Sequence, residues 1–256
     1  MTSASETKVD YLLQSQPADG NDNEEISPFQ NAYAAPEPTA YMKVGEQSYS
    51  PCPPDIPAYC NTILDCAALF GNTSLACQYG WRFARSVEFW KSNEPLSEEA
   101  REKTQQGRRL KMIGLDVMPL ALAYSKKMNI VDETISQDFG AEMSEATRAA
   151  LVEADVMVMQ QCLSHMPIEN LKIWIAVFTS DKARNKRMIY DHNPYFDSRD
   201  MSPKSLCEGL KCSGRVKSAD NFYKYRNKTD EEFKQSQENG RDMCVTHYVV
   251  DFQALA

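Results

Sequence analysis

Ile63-Leu64-Asp65-Cys66-Ala67-Ala68-Leu69-Phe70-Gly71-Asn72-Thr73-Ser74 is an apolar run that ends in an acid, followed by a turn-length segment. Beyond it, Leu75, Tyr79, Phe83, Val87 and Trp90 recur at helical spacing, interrupted at Gly80, which splits the stretch into two helices. Strand, acid, turn and helix therefore follow one another, and the same unit recurs downstream. Lys111–Asp116 is a second apolar run ending in Asp, and Pro119 opens the next helix as a first-turn proline. That helix carries Leu120, Ala123, Tyr124 and Met128 on one stripe. Glu133–Asp138 is a third, short strand. Ser144 caps a helix running to Ala154 with Leu151 and Val152 buried, and Asp155–Gln160 is a fourth strand. Ile168, Leu171, Trp174, Ile175 and Phe178 mark a further helix, and Arg187–Asp191 is a fifth strand. Asn221–Tyr225 and Met243–Phe252 read as two last strands, suited to an antiparallel edge pair. Residues 91–109 are almost wholly polar and read as a solvated helix or long loop.

Alternating strands and helices imply an α/β fold, a Rossmann-like three-layer sandwich with a mostly parallel sheet and a C-terminal antiparallel strand pair. Ligands of such sheets bind beyond the carboxyl ends of the strands, where the strand order reverses. Asp65, Asp116 and Asp138 each close an expected strand, so one crevice can hold all of them. Upstream, residues 1–38 are polar and offer little to bury, which reads as a flexible tail. Residues 39–60 form a proline-rich arm or lid, and 61–256 the main domain. Tyr33, Tyr41, Tyr49 and Tyr59 either roof a substrate or anchor the arm, with anchoring favoured.

The composition narrows the function classes. A chain of 256 residues with 42% hydrophobic and 25% charged content suits one soluble domain plus a tail. No apolar run approaches the roughly 20 residues that span a bilayer, and the N-terminus has no basic flank leading into an apolar core. A cytoplasmic protein without membrane contact is expected. The formal charge of −8 and the absence of a Lys/Arg block argue against nucleic acid as a partner. Cys52, Cys60, Cys66, Cys77, Cys162, Cys207, Cys212 and Cys244 form no C-x-x-C pair, so reduced thiols are expected and no metal site.

The opening stretch resembles the first motif of class I S-adenosylmethionine (SAM) methyltransferases: an apolar strand, D-x-G-x-G-x-G, then a helix. Asp65 and Gly71 match, while Ala67 and Leu69 stand where that family has its first two glycines. The turn needs glycine where the backbone approaches ligand or takes positive φ, so the Leu69 side chain must point away from a ligand, or the ligand must sit differently. Phe70-Gly71-Asn72-Thr73 is similar to a variant, D-x-x-x-x-Y-G-x-N, found in a subset of methyltransferase-like proteins. The likeness extends over roughly residues 38–195, through Gly114-Leu115-Asp116-Val117, Ala121-Leu122-Ala123-Tyr124-Ser125 and Val131-Asp132-Glu133. It implies SAM as cofactor, with Asp116 accepting from the ribose hydroxyls and Val117 beside it. It also implies Asp138 and Phe139 at the adenine, the backbone of Ala67 to Gly71 at the methionine part, and Gln160 on the same crevice. The long gap between Asp65 and Asp116 departs from the pattern; a different strand partner would remove Asp116 from the site.

For the chemistry, the cofactor carries the reactive methyl, and the protein orients the acceptor and, for O or N acceptors, takes a proton. His165, just after the fourth strand, either sits near the acceptor or ties a loop. His192, after the fifth strand, is the other candidate, and His247 reads as structural. The leading expectation is methyl transfer to a small molecule, with room for a homodimer. An inactive methyltransferase-like scaffold is the alternative. A nicotinamide oxidoreductase is weaker, because G-x-G-x-x-G is absent.

Overall fold

In a computed structural model, residues 32–45, 54–160, 162–163, 166–192, 199–208, 214–223 and 245–253 are described. The elements run α1 (Thr39–Gly45), β1 (Thr62–Cys66), α2 (Asn72–Tyr79), α3 (Phe83–Ser92), α4 (Glu98–Glu102), β2 (Lys111–Asp116), α5 (Pro119–Lys127), β3 (Glu133–Ser136), α6 (Glu145–Glu153), β4 (Val156–Met159), α7 (Ile168–Phe178), β5 (Lys186–His192), α8 (Pro203–Cys207), β6 (Gly214–Tyr223) and β7 (Val245–Phe252). Residues 32–34, on the tail side of the expected boundary at 38, are also helical, and Ala32 is buried.

The strands form one sheet in the order β3-β2-β1-β4-β5-β7-β6. β1 pairs in parallel with both β2 and β4, so the order reverses between them. β7 runs antiparallel to both β5 and β6. Successive side chains of a strand point to opposite faces, and the two faces are covered separately. Leu64, Ile113, Met157, Met188 and Val250 pack beneath α6 and α7 through Leu151, Leu171, Trp174 and Phe178. Ile63, Met112, Val158, Ile189 and Val249 pack beneath α2, α3 and α5 through Leu75, Val87, Trp90 and Tyr124, with Tyr41 of α1 at the margin. This is a Rossmann-like three-layer sandwich, mostly parallel with a C-terminal antiparallel pair. Among the described residues no helix is long and apolar enough to cross a membrane. The described cysteines are free thiols; Cys60, Cys66, Cys77 and Cys162 are buried and Cys207 is half-buried.

Several local expectations are corrected. The 91–109 segment is largely exposed and carries the short helix α4, as expected, but it is anchored: Ser97 caps α4 by accepting from Ala100 N at 3.2 Å, and Leu96, Arg101 and Thr104 are buried. Arg101 can be buried because Asp132 and Glu98 hold its guanidinium. In α5 the buried stripe is Ala121, Leu122, Tyr124 and Ser125, while Leu120 is 53% exposed. Val152 likewise points outward. β3 stops at Ser136, before Asp138. β6 begins at Gly214 rather than Asn221, while β7 and β6 form the expected antiparallel pair at the sheet edge, with β6 outermost.

Candidate functional site

The candidate site is built from the turn after β1. Ala67, Leu69 and Gly71 have φ of 65°, 44° and 83°, so three alternate residues take the left-handed conformation. That conformation favours glycine, yet two of the three positions carry a side chain. Long-range bonds hold it. Ala67 N and Ala68 N donate to Leu115 O at 2.8 and 3.1 Å, and Gly71 N to Ala68 O at 2.7 Å. Leu69 N donates to Asp116 Oδ2 at 2.9 Å, and Ser125 Oγ donates to Leu69 O at 2.9 Å. The Leu69 side chain packs against the core on the α2, α3 and α5 face, and Ala67 against the core on the other. At Gly71 a Cβ would lie 2.5 Å from Ile130 Cγ2, so space as well as backbone angle requires glycine there.

Two acids sit beneath this turn. Asp65 has no exposed surface; its Oδ2 accepts from Ser74 Oγ at 2.6 Å, and its Oδ1 has no partner. Burial, with Asp116 adding, raises its pKa from 3.8 to about 7. Asp116 accepts from Met118 N on Oδ1 and Leu69 N on Oδ2, each at 2.9 Å. Burial raises its pKa to about 6, although those N–H groups favour the charged form. Each of its oxygens keeps a further lone pair. Asn72 Oδ1, at the start of α2, is a second buried acceptor without a partner. Thr73 Oγ1 donates to Gln160 Oε1 at 3.3 Å across to the end of β4. Asn72, Thr73 and Ser74 stand in the motif stretch, but the sequence reading gives them no role in the site; polar side chains in the first turn of a helix are the available signal.

The other expected residues divide. Asp65, Asp116, Gln160 and the 67–71 turn come together on adjacent strands. Val117 follows Asp116 and is half-buried. Asp138 lies two residues past the end of β3, half-buried, and accepts from Gly140 N at 2.7 Å. The Phe139 ring stands 5.7 Å from Trp174 and belongs to the core beneath α6 and α7. His165 lies outside the described residues. His192 ends β5, and the strand's alternation sets it on the face of Tyr190, opposite to Asp191. His247 is buried, and its Nδ1 is 2.6 Å from Asp191 Oδ1.

The tyrosines also divide. Tyr41 stands 5.5 Å from Phe70 of the turn, 5.8 Å from both Phe83 and Trp90, and 5.9 Å from Tyr33, which anchors α1 over the turn. Burial, followed by Tyr33 and the two acids, raises its pKa. Tyr59 is apart and 38% exposed, and Tyr49 lies outside the described residues. A depression of about 440 Å³ lined by Pro54, Asp55, Gln105, Gln106 and Arg108 opens elsewhere. These residues precede β1 and β2, so it lies at the amino edge of the strands, away from the acids.

No protein-family model matches the chain, and no curated protein matches it in sequence. Solved structures similar to it include the magnesium protoporphyrin IX methyltransferase of Synechocystis PCC 6803 with bound SAM (10% identity, 96% of this chain and 91% of that one, TM-score 0.42). A SAM-dependent methyltransferase from Archaeoglobus fulgidus is similar at 11% identity, over 88% of this chain and 97% of that one, with a TM-score of 0.42. One from Leishmania major is similar at 13% identity, over 77% and 67%, also with a TM-score of 0.42. All of these TM-scores are below 0.5, and the fold stands on the chain's own strand order and register.

Proposed function

We propose that the chain binds SAM in the crevice beyond β1, β2 and β4 and transfers its methyl group to a small-molecule acceptor. The observation that carries this reading is the turn: Ala67, Leu69 and Gly71 are all left-handed, at the positions where the resembled motif has glycine. Strained backbone held without the residue that relieves it clusters at ligand-binding turns, which supports the reading. The donor set fits the group. Asp65 Oδ1 and Asn72 Oδ1 are buried acceptors without donors, and a cationic, donor-bearing amino-acid moiety satisfies both. The free lone pairs of Asp116 suit vicinal hydroxyls. When bound, SAM supplies a methyl group activated by its sulfonium. The chain's residues orient it, exclude water and hold the opposing charge. Asp138 stands at the adenine side in this reading, and the protein works in the cytoplasm, where its buried thiols stay reduced.

The test is calorimetric titration with SAM and with S-adenosylhomocysteine, on the native chain and on Asp116→Ala. Micromolar binding is expected, weakened about 10- to 100-fold by the substitution, as for loss of a charged hydrogen-bond acceptor. Absence of binding by the native chain would sink the reading. Leu69 favours a second reading, a ligand-binding scaffold without turnover. Binding without transfer to any acceptor would support it.

A further inference from the structure

Asp191 and His247 face each other on antiparallel β5 and β7. His247 Nδ1 and Asp191 Oδ1 are 2.6 Å apart, and each residue is 4% exposed. Val158, Ile189 and Val249 form an apolar row on the α2, α3 and α5 face of β4, β5 and β7. Two positions further along, towards the carboxyl ends of β4 and β5, the same face carries Gln160, Asp191 and His247. This polar row therefore continues from the Thr73–Gln160 bond at the turn outward across the sheet. Neighbouring strands are about 4.8 Å apart, so the pair flanks the ground beside Gln160 where an acceptor would lie.

With Asp191 as the acceptor and a neutral ring, Nδ1 donates the hydrogen and Nε2 has the lone pair. Register alone does not need the pair. Met188–Val250 and Ile189–Val249 already fix it, and Tyr190 stacks on Tyr248 at 4.9 Å. A buried ionisable pair often stabilises no more than a well-packed apolar pair of similar volume. We propose that His247 is the proton acceptor for methyl transfer to a hydroxyl group, with Asp191 as its positioning residue; this rests on the SAM reading above. In the step, the hydroxyl oxygen bonds to the methyl carbon and the carbon–sulfur electron pair leaves with sulfur. The O–H proton passes to Nε2, and Asp191 balances the imidazolium. The acceptor class is thus a neutral phenol or alcohol, not a carboxylate.

The experiment, run at mildly alkaline pH, compares phenol, which stays protonated there, with 4-nitrophenol, which is ionised there, using methyl-deuterated SAM and mass detection of the ether. His247→Gln is expected to lower kcat on phenol about 100-fold or more, the range of general-base catalysis. It should lower kcat on 4-nitrophenol less than about 5-fold and leave S-adenosylhomocysteine affinity within about 2-fold. Asp191→Asn should show the same contrast at smaller size, and it serves as the test if His247→Gln does not fold. Equal losses on both phenols, or none, would overturn the proposal. So would failure of the native chain to methylate either phenol while binding S-adenosylhomocysteine. Failure to bind that ligand at all counts instead against the SAM reading.

Discussion

At the scale of the residue, Ala67 and Leu69 hold angles that cost a residue with a Cβ about 1–2 kcal/mol each. Ala67→Gly should relieve that strain, partly offset by the freer unfolded chain, and raise stability by up to about 1 kcal/mol in a denaturant melt. Gly71→Ala should lower it by more than about 2 kcal/mol, because the new methyl meets Ile130. A destabilised Ala67→Gly would show that the turn is not strained. Asp65 makes a pH prediction. Its folded pKa of about 7 lies above the ordinary 3.8, so the folded state keeps a proton that the unfolded state releases. Its contribution is full below about pH 4 and is lost as pH rises to about 7. The stability of Asp65→Asn relative to the native chain should therefore climb across that window in a series of melts. A flat difference would mean that the carboxyl is not desolvated. The sequence reveals that 67 and 69 are not glycine. It does not reveal the backbone they adopt, because the bonds that impose it come from Asp116 and Ser125, roughly fifty residues away.

At the scale of the element, β1, β2 and β4 are legible because they are buried on both faces and carry apolar runs, whereas parallel β3, at the sheet edge, is largely exposed and only weakly marked in the sequence. Helices were legible in extent but less so in rotation. Spacing puts Leu120 on the apolar stripe of α5, yet the core lies over Ala121, Leu122, Tyr124 and Ser125. Spacing gives the period of a helix and not which of two overlapping stripes faces inward. α4 was hidden because its buried residue is an arginine, which only its ion pairs with Glu98 and Asp132 explain. Lys186 is a parallel case at the end of α6. Its amine, in a residue 1% exposed, donates to Leu151 O, Val152 O and Ala154 O at 3.3, 2.7 and 2.9 Å. The carbonyls left over at a helix C-terminus are thus closed by a cation from the next strand but one in sequence. Lys186→Met should cost about 2–4 kcal/mol by leaving those carbonyls dry. A loss under about 1 kcal/mol would show that water replaces the amine.

At the scale of the whole molecule, the alternation of strand and helix gives the layers, and Asp65 and Asp116 lie towards the carboxyl edge of the sheet, where the site is proposed. The Asp191–His247 pair was out of reach, since only the register of β5 against β7 brings together residues that far apart. The same register has a consequence for how the chain reaches its structure. β5 must wait for a partner roughly sixty residues downstream, and closing so long a loop is slow. Until β7 arrives, the apolar run Met188-Ile189-Tyr190 is an open edge with unpaired backbone groups, the kind of surface that recruits strands from other chains. β7 then pairs with that edge and leaves β6 as the outermost strand. The late strand thus serves as the molecule's own protection against aggregation, and the hazard is confined to the interval before it docks.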